Sequence, residues 1–336
     1  MPGRRQTPRR GRARRAIIAG AFVCLALFVL ARLLTDRAVV TQWLWWVPPW
    51  AWPLAALAFV AISGTIDRYR SVARRAALAL AVAAFALVAL VDWHVHRLVH
   101  SPPLSSGLGP SASFLFLNLA AERIDDASEL ALPVADVYVI ANASSATNLD
   151  SLARSFATPP FVAHSWPFVV VSRWPVARLG ATVFRTPDDP DDRARADPGR
   201  AAAFALEGAL AGDLTLWVVD FPSDPRRSRI EGARRAAEAI SAAPRFPAPD
   251  LVVGDFNITR GSRSLRLFAR EAAPGLRDAH ALVGRGPAGT WPRRAPVWPI
   301  DHALVGPRLA PTAFRTVDPG HGSHRAIMVR VGPTGP

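Results

Sequence analysis

Three stretches almost free of charge crowd into the first hundred residues, and they constrain the chain more than anything that follows. Ala16 to Leu34 is apolar apart from Arg32, and Val39 to Ile66 carries no charge. Ala76 to Val91 is also uncharged, and Trp93 and Val95 extend it past Asp92. A helix that crosses the hydrocarbon of a bilayer needs about 20 mostly apolar residues. The spacing predicts a membrane anchor over 1–100 with three transmembrane helices, at about 16–34, 44–66 and 74–95. For the third, a buried or interfacial helix is the competing reading. For residues 1–34 it is a cleaved signal peptide, since a basic segment precedes the apolar core. Two further apolar stretches follow, and no small-residue cleavage site stands out after Leu34, so an anchor is expected. Trp43, Trp45, Trp46, Trp50 and Trp52 suit a helix entry at headgroup level. Pro48, Pro49 and Pro53 place the start of the second helix proper nearby, because proline is tolerated in a first turn.

Orientation follows from the short basic segments. The Arg4–Arg15 cluster and the loop holding Arg68, Arg70, Arg74 and Arg75 are expected to stay cytoplasmic. The connection between the first two helices carries only Arg32, Asp36 and Arg37. Three crossings then place everything after His100 outside the cytoplasm, as the extracytoplasmic domain of a multi-pass plasma-membrane protein whose first partner is the lipid bilayer. The net charge of +14 at first resembles that of a nucleic-acid binder. However, 14 arginines against three acids lie in residues 1–100, so eleven of those charges belong to the anchor. The remainder is close to neutral, which argues against duplex nucleic acid as a partner, since duplex binding relies on a basic groove. The single cysteine, Cys24, lies in the first apolar run, which excludes a disulfide or a cysteine metal site from the rest of the chain.

Ser101 to Ala112 is rich in Pro, Ser and Gly and reads as a linker. Beyond it, short apolar runs alternate with helical stretches. Ser113–Asn118, Val137–Ile140, Phe168–Val171, Leu214–Val219 and Leu251–Val253 read as strands, most of them apolar on both faces as buried strands are. Arg229–Ala243 reads as a helix, and Thr186–Arg200 as a polar, mobile loop. The alternation predicts an α/β sandwich over 113–336. No internal repeat is visible.

The sharpest local signal is Leu251–Asn257, LVVGDFN. A buried strand ends at a glycine and then presents Asp255 and Asn257, whose spacing of two places both side chains on one side of the strand end. Ligands of α/β sheets bind at such carboxyl ends. An aspartate there can orient or deprotonate a water, and an asparagine can donate to a phosphate oxygen. A plain strand-end turn is the bland alternative.

The order FLFLN, ADVYVIAN, VVSRWP, GDFN, GTWP, IDHALV and GSHRAI resembles the endonuclease/exonuclease/phosphatase superfamily across residues 113–331. The three apolar helices ahead of it resemble the membrane-bound branch that includes teicoplanin-resistance proteins. The resemblance implies a fold of two packed β-sheets flanked by helices, with Mg²⁺- or Mn²⁺-dependent hydrolysis of phosphate esters or pyrophosphates. It implies that Asn118 helps set the metal and phosphate site. Asp255 would align the attacking water, and Asn257 would contact the phosphoryl group. Asp301 would orient the catalytic His324, and Trp291 would line the substrate cleft, with core packing as an equal alternative. Three positions depart from the pattern. Asn142 stands where the family has its principal glutamate ligand, Asp220 where a phosphate-facing histidine is expected, and Ser323 where a metal-side aspartate is expected. On this reading Asn142, Asp255 and Ser323 form a metal site short of two carboxylates, because Mg²⁺ usually takes one or two of them. Asp220 would face the substrate. Two functions stay open. One is a membrane-anchored phosphoesterase or pyrophosphatase acting on a phosphorylated small molecule or a lipid-linked pyrophosphate. The other is a catalytically degenerate relative that keeps the fold for binding or scaffolding. His94, His96 and His100 read as interfacial polar residues, His302 as a packing or capping residue, His321 as a bland position whose alternative is an approach to the site, and Ser172 with Arg173 as a structural turn.

Overall fold

The structure, a computed structural model, describes residues 8–66, 72–99, 110–120, 124, 126–143, 149, 152, 154, 156, 158–185 and 198–334. Arg4 and Arg5, the loop at 67–71 with Arg68 and Arg70, His100, most of the expected linker and residues 186–197 of the polar loop lie outside the described residues. The chain divides into two compact units, Met1–Trp93 and His94–Pro336.

In the first unit, α1 (Pro8–Leu34) runs 27 residues, about 40 Å at 1.5 Å per residue. It is followed by α2 (Val39–Trp46), α3 (Ala51–Ile66) and α4 (Val72–Leu87), which continues as a π-helical turn over Val88–Asp92. Two helices, Gly11–Leu34 and Val72–Asp92, are long and apolar enough to cross a membrane. The expected second span at 44–66 is not one straight helix. Val39–Trp46 and Ala51–Thr65 meet at a 62° bend, and three crossings result only if that bent pair counts as one. The cause is local: Val47 precedes Pro48 and adopts extended angles of φ −63° and ψ 122°, as the ring of a following proline requires. Small residues pack the unit, with Ala21, Ala56, Ala77 and Ala81 fully buried, which lets helix backbones approach closely. Arg32 and Asp92, the charges inside two of the apolar stretches, pair at 2.7 Å. The far ends of α1 and α4 therefore lie at one level, with α3 returning between them.

The second unit is a sandwich of two six-stranded mixed sheets. The first has the order β11 (Leu309–Val317), β12 (Ala326–Pro333), β1 (Ala112–Asn118), β2 (Val137–Ala141), β4 (Phe168–Ser172), β3 (Phe161–Ser165). The second has the order β5 (Val176–Phe184), β6 (Gly199–Leu206), β7 (Leu214–Asp220), β8 (Leu251–Asp255), β10 (Asp301–Val305), β9 (Arg277–Asp278). Only β1–β2 and β7–β8 pair in parallel among the named strands. Parallel neighbours need a crossover, and between β7 and β8 it is α6 (Arg229–Ala242). Phe114, Phe116, Phe204, Leu216, Val218 and Val253 fill the space between the sheets. Outside the second sheet, α6 and α7 (Arg263–Ala272) cover Trp217, Val219 and Val252. Both helices start at a serine N-cap, Ser228 accepting from Glu231 N and Ser262 from Leu265 N, each contributing about 1 kcal/mol.

A short helix, α5 (His96–Val99), belongs to this unit. Arg97 donates to the carbonyls of Ala281 (2.9 Å) and Gly284 (3.2 Å) at the end of α8 (Ala279–Val283). A guanidinium suits these last, unpaired helix carbonyls. His94 packs its ring 5.5 Å from that of His280. The compact unit thus begins ahead of the linker expected at 101–112.

Candidate active site

The two parallel pairs determine where chemistry can sit. Residues two apart on a strand share a face, and Phe116, Val218, Val253 and Ala303 all point between the sheets. Asn118, Asp220, Asp255 and Asp301 follow or precede them by two, so their side chains enter the same space at one mouth of the sandwich. In the second sheet Asp220 lies in register with Asp255, and Asp255 in register with Asp301. Three carboxylates therefore form a row across β7, β8 and β10. The glycine of the GDFN motif has a steric explanation. A Cβ on Gly254 would lie 2.0 Å from the carbonyl oxygen of Val219, so only glycine permits this approach of β8 to β7.

Hydrogen bonds tie the mouth together. Asn118, at the end of β1, donates Nδ2 to Asp255 Oδ2 at 2.9 Å, joining the two sheets through buried side chains. Asn142, one residue past β2, donates Nδ2 to Asn118 Oδ1 (3.1 Å) and to Asp220 Oδ2 (3.0 Å). Asn257 donates its backbone N–H to Asp255 Oδ1 (2.9 Å) and its Nδ2 to the Phe221 carbonyl (2.9 Å). Its φ of 48° places it in the left-handed region, which asparagine tolerates better than most residues. Strand periodicity therefore does not position Asn257; a turn and an amide tether do. Asn142, with φ of 54°, is held likewise.

His324 completes the cluster. Its Nδ1 donates to Asp301 Oδ2 at 3.0 Å, and its Nε2 lies 3.8 Å from Asp255 Oδ2. Two backbone contacts deliver it there: Arg325 N donates to the Thr290 carbonyl and Arg293 N to the Ser323 carbonyl. Thr290 Oγ1 also accepts from Asp301 N at 3.2 Å and from Ile300 N at 3.3 Å. The GTWP, IDH and SHR segments are thus one assembly that presents an imidazole to Asp255.

The electrostatics follow from burial and from this crowding. Burial, then the neighbouring Asp301 charge, pushes the Asp255 carboxyl well above the usual range; Asp220 adds to this while His324 and the Asn257 N–H oppose it. For His324, burial disfavours the charged ring, but the charge and hydrogen bond of Asp301, with Asp255 and Asp220 behind, outweigh it and lift the imidazole to about 9. At neutral pH the ring is then a cation with its Nε2–H towards Asp255.

The ligand atoms of Asp255, Asp301 and His324 lie within 4.8 Å of one another, an arrangement that could hold a metal ion. A proton-bearing imidazole does not ligate, so oxygens would do so. Asp301 Oδ1 is fully buried and has no hydrogen-bond partner among the described residues, a cost of about 1–3 kcal/mol unless something meets it. Hard carboxylate and amide oxygens at this mouth fit a divalent cation such as Mg²⁺ or Mn²⁺.

The structure brings together Asn118, Asn142, Asp220, Asp255, Asn257, Asp301 and His324. Asp220 and Asp301 share the row of Asp255. Ser323 approaches through its backbone, with its carbonyl engaged by Arg293. Trp291 pairs with Trp298 at 5.2 Å between ring centres. His302 packs as read: it is buried, with Nε2 against the Ile258 carbonyl (2.7 Å) and its ring against Phe256. Ser172 and Arg173 form the turn, with Ser172 Oγ accepting from Trp174 N and Arg173 reaching Asp136. His321 is exposed. Sequence reasoning missed Thr290; its signal was the threonine of GTWP, one of the segments already noted.

A sequence model of the Endonuclease/Exonuclease/phosphatase family matches residues 109–326, more than half of the chain. No match is found among curated protein sequences. Solved structures with a similar fold include an endonuclease/exonuclease/phosphatase from Beutenbergia cavernae, 16% identical with a TM-score of 0.48, over 67% of this chain and 72% of that one. Two come from Bacteroides thetaiotaomicron. One is a protein of the same family, 14% identical with a TM-score of 0.45, over 66% of this chain and 98% of that one. The other is a mannosyl-6-phosphatase, 13% identical with a TM-score of 0.46, over 66% of this chain and 99% of that one.

Proposed function

The chain belongs to the endonuclease/exonuclease/phosphatase family, and on that premise we propose that it is a membrane-anchored hydrolase of phosphate esters or pyrophosphates. One observation carries the reading: a buried carboxylate with a raised pKa, Asp255, held from the opposite sheet by Asn118 and faced by an imidazolium that Asp301 orients. Asp255 takes the role of aligning water and drawing its proton, since a raised pKa makes a carboxylate a better base near neutrality. His324, cationic at neutral pH, stabilises charge that develops on the phosphoryl oxygens. Asn118 and the Asn257 N–H hold Asp255 in one orientation. Asp255 and Asp301, whose ligand atoms lie within 4.8 Å of each other, would hold a divalent cation, which supplies charge neutralisation and polarisation of the phosphoryl group when bound.

The anchor supports an extracytoplasmic site. The Arg32–Asp92 pair sets the ends of α1 and α4 at one level, and the basic N-terminal segment favours the cytoplasm. A multi-pass plasma-membrane protein with its α/β unit outside would meet a phosphorylated small molecule or a lipid-linked pyrophosphate. The resemblance to the teicoplanin-resistance branch leads to the same substrate class, and the near-neutral charge beyond the anchor argues against duplex nucleic acid. A second reading, a degenerate relative that binds without turnover, draws on Asn142, whose amide already satisfies Asp220 without a cation. Phosphate release by the detergent-purified full chain from monoester and pyrophosphate substrates, and alcohol release from diesters, with Asp255→Ala as control, separates the two. Metal-stimulated release that the variant abolishes supports the hydrolase; equal background from both proteins supports the degenerate relative.

A further inference from the structure

We propose that Arg200 binds the phosphoryl group that is not attacked, so that the mouth selects a pyrophosphate over a phosphate monoester. This rests on the reading of the mouth as a hydrolytic centre and adds the substrate class together with the residue that sets it.

Arg200 enters the mouth from the strand beside Asp220. On β6, Ala202 and Phe204 point between the sheets, and Arg200 precedes them by two and by four, so its side chain takes the same face. It pairs in register with Asp220 across the antiparallel β6–β7 ladder. The row of Asp220, Asp255 and Asp301 therefore has a guanidinium at its β6 end and, at its β10 end, the imidazolium that Asp301 holds. Side chains directly opposite on such a ladder are within reach of each other, and an ion pair with Asp220 would be the structural use of Arg200. That pair is not made. Asp220 Oδ2 accepts from Asn142 at 3.0 Å, and the partly buried Arg200 guanidinium has no hydrogen bond or ion pair among the described residues. The cation is left for an anion from outside. Position then says which anion. Asp255 lies two strands from Arg200, roughly 10 Å between backbones. His324 Nε2, 3.8 Å from Asp255 Oδ2, closes the β10 side of an attacked phosphoryl group. A second phosphoryl group extends towards β6, where a guanidinium can bind it through two parallel N–H donors. Water adds to the attacked phosphorus and its proton passes to Asp255. The bridging P–O bond breaks, the leaving phosphate takes the electron pair, and Arg200 stabilises the charge gained there. A monoester of a neutral alcohol brings no anion to that end of the row.

The test is binding of methylenediphosphonate, a pyrophosphate analogue that cannot be hydrolysed, and of inorganic phosphate to the detergent-purified full chain with Mg²⁺ present, read by calorimetry beside a melting curve. Arg200→Ala is expected to weaken methylenediphosphonate binding by about tenfold or more, the scale of a lost charge-assisted hydrogen bond. Inorganic phosphate should stay within a few-fold of the wild type, and the melting temperature within a few degrees. Arg200→Gln, closer in size, reads the same if the alanine variant fails to fold. Arg200→Lys, which keeps the charge without the paired donors, is expected to fall between. Arg178→Ala, at an exposed arginine of β5, should leave both affinities unchanged. Equal weakening of both ligands, wild-type methylenediphosphonate affinity in Arg200→Ala, or a wild type that does not prefer methylenediphosphonate to phosphate would each overturn the inference. Selective loss of methylenediphosphonate binding in Arg200→Ala with no turnover by any of the proteins would uphold the assignment and sink the hydrolase. Pyrophosphate turnover undiminished by Arg200→Ala would overturn the assignment and leave the hydrolase standing.

Discussion

Replacing Asp301 by asparagine tests how the site holds its imidazole. His324 donates to Asp301 Oδ2 at 3.0 Å, and its side chain is 7% exposed, so solvent screens the pair little. Its pKa of about 9 against an ordinary value near 6.5 amounts to roughly 3 kcal/mol at 1.36 kcal/mol per unit. The folded value is raised, so this stabilisation is fully present below about pH 6.5 and is lost as pH rises through about 9. The raised Asp255 carboxyl adds a slope of the same sign, because ionising it costs more in the folded chain. Asp301→Asn removes the largest influence that raises His324 and leaves burial opposed only by Asp255 and Asp220, so the ring should titrate well below the wild-type value of about 9. The expected loss of stability is about 2–3 kcal/mol at pH 6 and shrinks towards pH 9.5. Histidine-selective NMR titration of the detergent-purified protein reads the pKa directly, and unfolding across the same pH range reads the energy. A wild-type His324 that titrates near 6.5, or a destabilisation that is flat from pH 6 to 9.5, would refute the reasoning.

Two further substitutions address how the site is built. Thr290→Val removes the acceptor for Ile300 N and Asp301 N in a buried setting. It should cost about 1–3 kcal/mol of stability and lower kcat more than KM, as steady-state kinetics beside a melting curve would show. Gly254→Ala puts a methyl against the Val219 carbonyl. It should lower the melting temperature and disrupt the Asp255–Asn118 contact, whereas a fully stable, active Gly254→Ala protein would contradict the steric account.

The strands that carry the site were legible because they are buried on both faces. Continuous apolar runs such as SFLFLN and LVVGD match β1 and β8 to within a residue or two. Other strands were not. Alanine-rich β6 has weak strand propensity and gains its place from pairing on both sides, with β5 and β7. The helix α7 was missed although Ser262 caps it and Leu265 and Phe268 bury one face. The GDFN, IDH and SHR segments pointed to Asp255, Asp301 and His324, but the pairing of Asp220 with Asn142 was hidden. Position by position they looked like separate losses. Their hydrogen bond, between the ends of strands in different sheets, is a fact of topology that no local pattern records. In the second membrane segment the charge-free length was legible, and Pro48 bends it locally, so that the helix proper begins at Ala51.

The central claim is that this mouth performs hydrolysis, and the rate of substrate cleavage tests it most directly. With Mn²⁺ or Mg²⁺ supplied, the detergent-purified full chain should turn over a phosphodiester or a pyrophosphate, and Asp255→Ala and His324→Ala should each reduce the rate by at least about a hundredfold, as removal of a positioned acid–base group does, while both variants stay folded. A rate in the wild type no higher than in those two variants, across substrates and both metals, would contradict the account.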